Sequence, residues 1–100
     1  MKEIIIIGGG IVGLSIARQL SLKGYKNLTI LEKESTVAEH QSSRNSGVMH
    51  AGLYYKPGSL KQRLSREGIN LMKDYCNTNN IKWHECGKIV VAKNKSEEKN

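Results

Sequence analysis

One hundred residues, 25% charged and 38% hydrophobic, fit one globular domain or part of one. The longest apolar run, Ile4 to Ile7, is far short of the ~20 residues that cross a bilayer, and the opening Met1-Lys2-Glu3 is not a signal peptide, so a cytoplasmic chain is expected. The net charge of +7 favours an anionic ligand or surface, but the Lys and Arg residues are scattered and no nucleic-acid motif accompanies them, so no nucleic-acid partner is expected. Two cysteines, Cys76 and Cys86, are too few for a disulfide scaffold, and with His84 they lack zinc-ligand spacing, so no metal is expected.

Lys2 to Ile7 reads as a short buried strand, broken by Gly8-Gly9-Gly10. From Ile11 to Lys23 the apolar residues Ile11, Leu14, Ala17 and Leu20 recur at helical spacing, and Gly24 suits the left-handed position beyond the helix end. Leu28 to Glu32 is a second strand. Strand, glycine turn, helix and strand predict a parallel pair with a right-handed crossover.

Within this unit Gly8-x-Gly10-x-x-Gly13 follows a strand and opens a helix. Gly8 permits the tight turn, Gly10 lets a pyrophosphate approach the main chain, and Gly13 lets the helix lie against the strand. Free N–H groups at the helix start, at Ile11 and Val12, suit phosphate charge. Glu32 ends the second strand 19 residues after Gly13, with Lys33 beside it, and its carboxylate suits two ribose hydroxyls. The plain alternative is a glycine-rich turn with no ligand and an ordinary surface Glu. The pattern specifies an adenine dinucleotide without separating NAD from FAD.

Residues 33–58 then run without a regular period, where an NAD enzyme usually returns to a helix and a third parallel strand. Ser42, Ser43, Asn45 and Ser46 are short polar groups suited to pyrophosphate oxygens and a flavin edge, and Gly47 allows close backbone approach. Ser59 with Gln62 forms a capping box for a helix ending near Asn77, with Leu60, Leu64, Leu71, Met72 and Tyr75 as its apolar stripe. Inside that helix Gly68 is either a weak spot or a point of close packing. A third strand is expected within Trp83 to Lys93, best seen in Lys88 to Ala92, and the charged tail beyond it is expected to fray.

The stretches "IIIIGGGIVGLSIARQL…LTILEKE", "HQSSRNSGVMHAGLYYKPGSLKQRLSREG" and "WHECGKIVVA" together resemble the N-terminal part of the L-2-hydroxyglutarate oxidase/dehydrogenase family, FAD enzymes of the D-amino-acid-oxidase-like superfamily. The first stretch is common to many flavoproteins; the 22 residues from His40 to Lys61 are close to that family's own signature. The resemblance implies a truncated α/β, Rossmann-like βαβ FAD-binding unit followed by the start of a β-rich substrate domain. Residues 1–79 would be the N-terminal part of the FAD-binding domain and 80–100 the incomplete start of the second, an N-terminal fragment expected to be inactive alone. It implies oxidation of a 2-hydroxy dicarboxylate, L-2-hydroxyglutarate, to its 2-oxo acid, with hydride passing to FAD. Peripheral contact with the inner membrane or a quinone is a further possibility it opens.

By the same resemblance Gly8, Gly10 and Gly13 hold the pyrophosphate and Glu32 the ribose, while Ser43, Asn45, Ser46 and Gly47 line the cofactor. His50 is the candidate catalytic residue, as acid–base or substrate-orienting group; its alternative is a structural His beneath the flavin. Arg44 and Lys56 are candidates for a substrate carboxylate, or plain surface charges, and Tyr54 and Tyr55 either cap the site or only pack. Competing functions are a related flavin oxidoreductase acting on glycerol 3-phosphate or an amino acid, and a non-catalytic nucleotide-binding fragment.

Overall fold

A computed structural model describes residues 2–88 and 91–96. The chain divides into two compact units, Met1–Val48 and Met49–Asn100.

In the first unit, strand β1 (Ile4–Ile7), helix α1 (Ile11–Leu22) and strand β2 (Leu28–Leu31) form the expected βαβ element. β1 and β2 pair in parallel, Ile4 opposite Leu28 and Ile7 opposite Leu31. The ladder runs one bond further at each end, Ile4 N to Asn27 O and Gly8 N to Leu31 O. Each strand alternates: Ile4, Ile6, Leu28 and Ile30 are half-buried, while Ile5, Ile7, Thr29 and Leu31 are exposed. Period-two side-chain alternation puts the first four on one face. On α1 the half-buried residues are Gly13, Leu14, Ala17 and Leu20; of the stripe that periodicity selects, Leu14, Ala17 and Leu20 are covered while Ile11, at the helix start, is exposed. The helix stops where Gly24 adopts φ +94°, as its sequence position suggests.

The second unit is built around helix α2 (Leu60–Thr78). Ser59 caps it, its hydroxyl accepting from Gln62 N–H at 3.3 Å. The reciprocal bond is shifted one residue from the expected box: Gln62 Oε1 accepts from Gly58 N–H at 2.8 Å. The apolar stripe expected to be covered is mostly outward: Leu60, Leu64, Leu71 and Tyr75 are exposed, and only Met72 is half-buried. The covered face is Gln62, Ser65, Ile69 and Met72, with Cys76 buried. The reason is the loop before the helix. Gly52 is buried so close to α2 that a Cβ there would lie 3.4 Å from that of Ser65, and Gly58 is tied to Gln62. Close backbone approach and capping therefore choose the face, ahead of hydrophobicity.

After α2 the chain is held by Trp83, whose indole N–H donates to Asn77 Oδ1 at 2.8 Å. The strand expected within Trp83 to Lys93 does not form over its described residues, 83–88 and 91–93; Ile89 and Val90 lie outside the described residues. Among the described residues no helix is long and apolar enough to cross a membrane.

Candidate functional site

The glycine turn places β1, α1 and β2 around one point. Gly8 adopts φ +108°, a conformation that L side chains resist. Gly13 has no room for a side chain, since a Cβ would stand 2.0 Å from the Gly8 carbonyl oxygen. That contact is the close helix-to-strand approach the motif requires. Gly10 is the N-cap of α1 and supplies no side-chain cap. The first N–H groups of a helix lack intrahelical acceptors, and here Ile11 N–H is met by Ser42 Oγ at 2.8 Å. Val12 follows it with its side chain exposed.

Glu32 lies just beyond β2 and closes the site. Its Oε1 accepts from Gly9 N–H at 2.9 Å and its Oε2 from Glu34 N–H at 2.8 Å. These bonds, Glu34's first and then Gly9's, hold the carboxyl below the ordinary glutamate range, with smaller help from the charges of His40 and Lys33. Each oxygen keeps further acceptor capacity, so the carboxylate can still receive ribose hydroxyls. The buried glycine is Gly9, outside the three-glycine pattern: its carbonyl accepts from Ala38 N–H at 2.9 Å, and a Cβ there would press on Val37 and Glu32. Ala38 adopts φ +59°, a strained value for alanine, in the loop that this bond ties over the turn. Gly10, Glu32, Ala38, His40 and Ser42 share in lining a cavity of about 260 Å³.

The structure thus brings Gly8, Gly10, Ile11, Gly13 and Glu32 together and adds Gly9 and Ser42. Lys33 is exposed and acts on Glu32 through its charge. Ser43, Asn45, Ser46 and Gly47 make no hydrogen bond to the glycine turn among the described residues. Asn45 instead bonds to the Gln41 carbonyl, and its Oδ1 accepts from Gly47 N–H at 2.7 Å, with Gly47 at φ +68°. Within 42–46 three serines look alike in sequence, and only the fold of the loop singles out Ser42. The donor set fits FAD's adenosine diphosphate half: a helix start free of acidic residues, a glycine cradle fixed by φ +108° at Gly8 and by close backbone approach at Gly13, and an ionised acid at the ribose distance in sequence.

His50 lies in the second unit. Its ring stacks on Tyr55, centroids 4.8 Å apart at 14°, and meets Tyr54 edge-on at 6.2 Å. His50 Nδ1 accepts from Gly52 N–H at 3.0 Å, so the neutral ring carries its proton on Nε2. Gly52 needs φ +76° to make this bond, a value glycine adopts without penalty.

Residues 3–100 match the FAD dependent oxidoreductase family model. The chain is 53% identical over 96 residues to the mitochondrial L-2-hydroxyglutarate dehydrogenase of Dictyostelium discoideum, covering 95% of this chain and 22% of that protein. It is 48% identical over 91 residues to the human mitochondrial protein of that name, covering 90% and 20%. To L-2-hydroxyglutarate dehydrogenase of Escherichia coli K12 it is 47% identical over 93 residues, covering 92% and 22%. It therefore spans about a fifth of the length of the curated relatives it matches. With the glycine turn, the acid at its rim and a match across nearly its whole length, the chain belongs to the FAD-dependent oxidoreductase family.

Proposed function

We propose that this chain is the FAD-binding portion of an oxidoreductase that converts L-2-hydroxyglutarate to 2-oxoglutarate. The observation that carries the reading is the near-50% identity to L-2-hydroxyglutarate dehydrogenases over nine-tenths or more of the chain. The cradle geometry supports the cofactor half of it. Gly8, Gly9, Gly10, Ile11, Val12 and Gly13 would hold the pyrophosphate and Glu32 the adenosine ribose. Ser43, Asn45, Ser46 and Gly47 would line the path toward the flavin, with Lys33 at the rim. When bound, FAD supplies a two-electron acceptor.

The substrate would give up a hydride from C2 to that acceptor and its hydroxyl proton to a base, and the C–O bond would become a carbonyl. With Nδ1 engaged by Gly52, His50 presents Nε2–H and works as an orienting donor to the substrate's oxygen. Residues 1–79 would belong to the FAD-binding domain and 80–100 to the start of a substrate domain. The protein would be cytoplasmic or peripheral to the inner membrane, its net charge of +7 favouring an anionic surface, with oxygen or a quinone as the final electron acceptor.

The test begins with the purified chain, mixed with FAD and passed through gel filtration. A flavin absorption band that co-elutes with protein supports the cradle. Next, the protein of relatives' length that carries this chain is assayed with a dye acceptor on L-2-hydroxyglutarate, its D enantiomer, glycerol 3-phosphate and sarcosine. Selective turnover of the first is expected; preference for either of the last two would overturn the substrate assignment.

A further inference from the structure

The loop after Glu32 is tied to itself and to the glycine turn, and His40 is where those ties meet. His40 Nε2 pairs with Glu34 Oε1 at 3.0 Å. A carboxylate only accepts, so Nε2 carries the proton in this bond. Glu34 is the residue whose main-chain N–H holds Glu32 Oε2 at 2.8 Å. In the other direction the His40 carbonyl accepts from Ser43 N–H at 3.2 Å, next to the Ser42 that caps Ile11. Between Glu34 and His40 lie two further ties: Ala38 N–H to the Gly9 carbonyl, and Thr36 Oγ1 to Glu39 Oε1 at 2.5 Å. His40 therefore closes the span from 34 to 40 and links the acid at the ribose to the loop over the helix start. Among the described residues that line the cavity, His40 is also the one that can carry a positive charge, facing the carboxylates of Glu32 and Glu39.

We propose that His40 is a positioning residue for Glu32: by fixing the Glu34 side chain it keeps Glu34 N–H on the Glu32 carboxylate, and so presents that carboxylate to the cofactor's ribose. This rests on the FAD reading above and adds the residue that aims its acid. The action is indirect. Among the described residues His40 makes no hydrogen bond to Glu32; it reaches that group through the Glu34 main chain and through its charge. Neither a helix nor a strand fixes residues 32–48, so the orientation of the Glu34 amide depends on such ties. The charged groups around His40 are Glu34, its partner, Glu32 and Glu39 at the cavity, and Lys33 beside Glu32. The tie is strongest when the imidazole is charged, because the bond is then an ion pair. Both side chains are partly exposed, 56% for His40 and 36% for Glu34, so its strength is that of a surface pair.

The test uses the full chain and two readouts: FAD affinity from quenching of flavin fluorescence, and the titration of the Glu32 carboxyl carbon by NMR without FAD. H40A is expected to weaken FAD about twofold to fivefold, the worth of one exposed pair, and to move the Glu32 midpoint up toward the ordinary glutamate range. H40Q, whose amide can reach the same Glu34 oxygen, should recover most of both. E34A keeps the main-chain N–H of residue 34 and should weaken FAD to a similar extent, and H40A/E34A should lose little more than either alone. In the unsubstituted chain FAD should bind more tightly in mild acid, where the imidazole is charged, and H40Q should lack that slope. An unmoved Glu32 midpoint in H40A overturns the proposal. So does a double variant whose losses add, because His40 and Glu34 then act apart, or a raised midpoint with FAD affinity unchanged. The FAD reading fails separately: if the unsubstituted chain binds no FAD but the Glu32 midpoint still rises in H40A, His40 positions Glu32 and the cofactor assignment falls.

Discussion

The glycine turn and the side chains around His50 are built from opposite materials. At the turn nearly every polar contact involves the main chain: Gly9 N–H and Glu34 N–H on Glu32, Ile11 N–H on Ser42, Ala38 N–H on the Gly9 carbonyl. Around His50 the contacts are side chain on side chain, a series in which Tyr54 and Tyr55 meet the imidazole and Lys88 and Lys61 lie over their rings, with a single main-chain bond from Gly52. A backbone site demands particular residue types, because only glycine takes φ +108° at Gly8 without penalty and only glycine fits at Gly13. The side-chain site makes such a demand at Gly52, which takes φ +76° to reach His50. The turn should therefore tolerate less change than the His50 region, and substitutions should expose that difference.

The sharpest contrast comes from G13A. A methyl 2.0 Å from the Gly8 carbonyl oxygen cannot be absorbed by a side-chain rotation, since both partners are backbone. The expected cost is about 3 kcal/mol or more, with α1 displaced from β1 and flavin retention lost in gel filtration. A G13A protein that still carries stoichiometric FAD would show that the turn is looser than its geometry implies.

Glu32 gives the next effect. E32Q keeps the shape of the side chain and removes its charge, and should weaken FAD by about tenfold or more, since it trades a charged acceptor for a neutral one toward two N–H groups and the ribose. The pH dependence follows from the lowered carboxyl pKa. A carboxyl held lower in the fold than in the unfolded chain contributes stability above its unfolded pKa and loses it as pH falls through the folded one. FAD affinity and the stability of the first unit should therefore be flat with respect to this group near neutrality and fall only in acid, below the ordinary glutamate range. In E32Q that acid limb should be missing from a thermal-melt series across pH. If both proteins lose stability in parallel, another group governs the acid limb.

The turn was largely legible in the sequence for the reason just given. Gly8, Gly10, Gly13 and Glu32 announce themselves by spacing, and the strand and helix bounds around them follow from period and punctuation. Gly9 was not legible, because a run of three glycines hides which one is buried. Ser42 was hidden among similar neighbours. In the second unit, helix α2 and its Ser59 cap were readable, but the covered face was not. Periodicity selects Leu60, Leu64, Leu71 and Tyr75, which are exposed; the loop's grip at Gln62 and Ser65 is a tertiary fact with no local signal. The His50 series joins positions 50, 54, 55, 61 and 88, a spacing that no secondary-structure period predicts.

Ser42 tests how much of the turn depends on a side chain. Its hydroxyl acts as the cap that Gly10 cannot supply, reaching Ile11 N–H from 31 residues away. Replacing a capping Ser with Ala costs about 1 kcal/mol. S42A should lower the melting temperature of the FAD-free protein accordingly, and the loss should shrink when FAD is bound, because phosphate oxygens can then meet the same N–H groups. An equal loss with and without FAD would mean that Ser42 keeps its bond in the loaded state and that the phosphates sit elsewhere.

The smallest effect should have the opposite sign. Gly68 sits within α2, and a Cβ added there would meet nothing within 4 Å. Close packing, the reason that would justify a glycine in mid-helix, is thus absent among the described residues, and the intrinsic preference for alanine is unopposed. G68A should stabilise the helix by up to ~1 kcal/mol, read as a higher denaturant midpoint with an unchanged slope. Gly68 lies on the same side of α2 as the exposed Leu64, Leu71 and Tyr75, so the substitution also asks whether that side stays open. If G68A instead destabilises the protein of relatives' length while stabilising this chain, a backbone or side chain packs against Gly68 there, and the outward apolar stripe is the surface it covers.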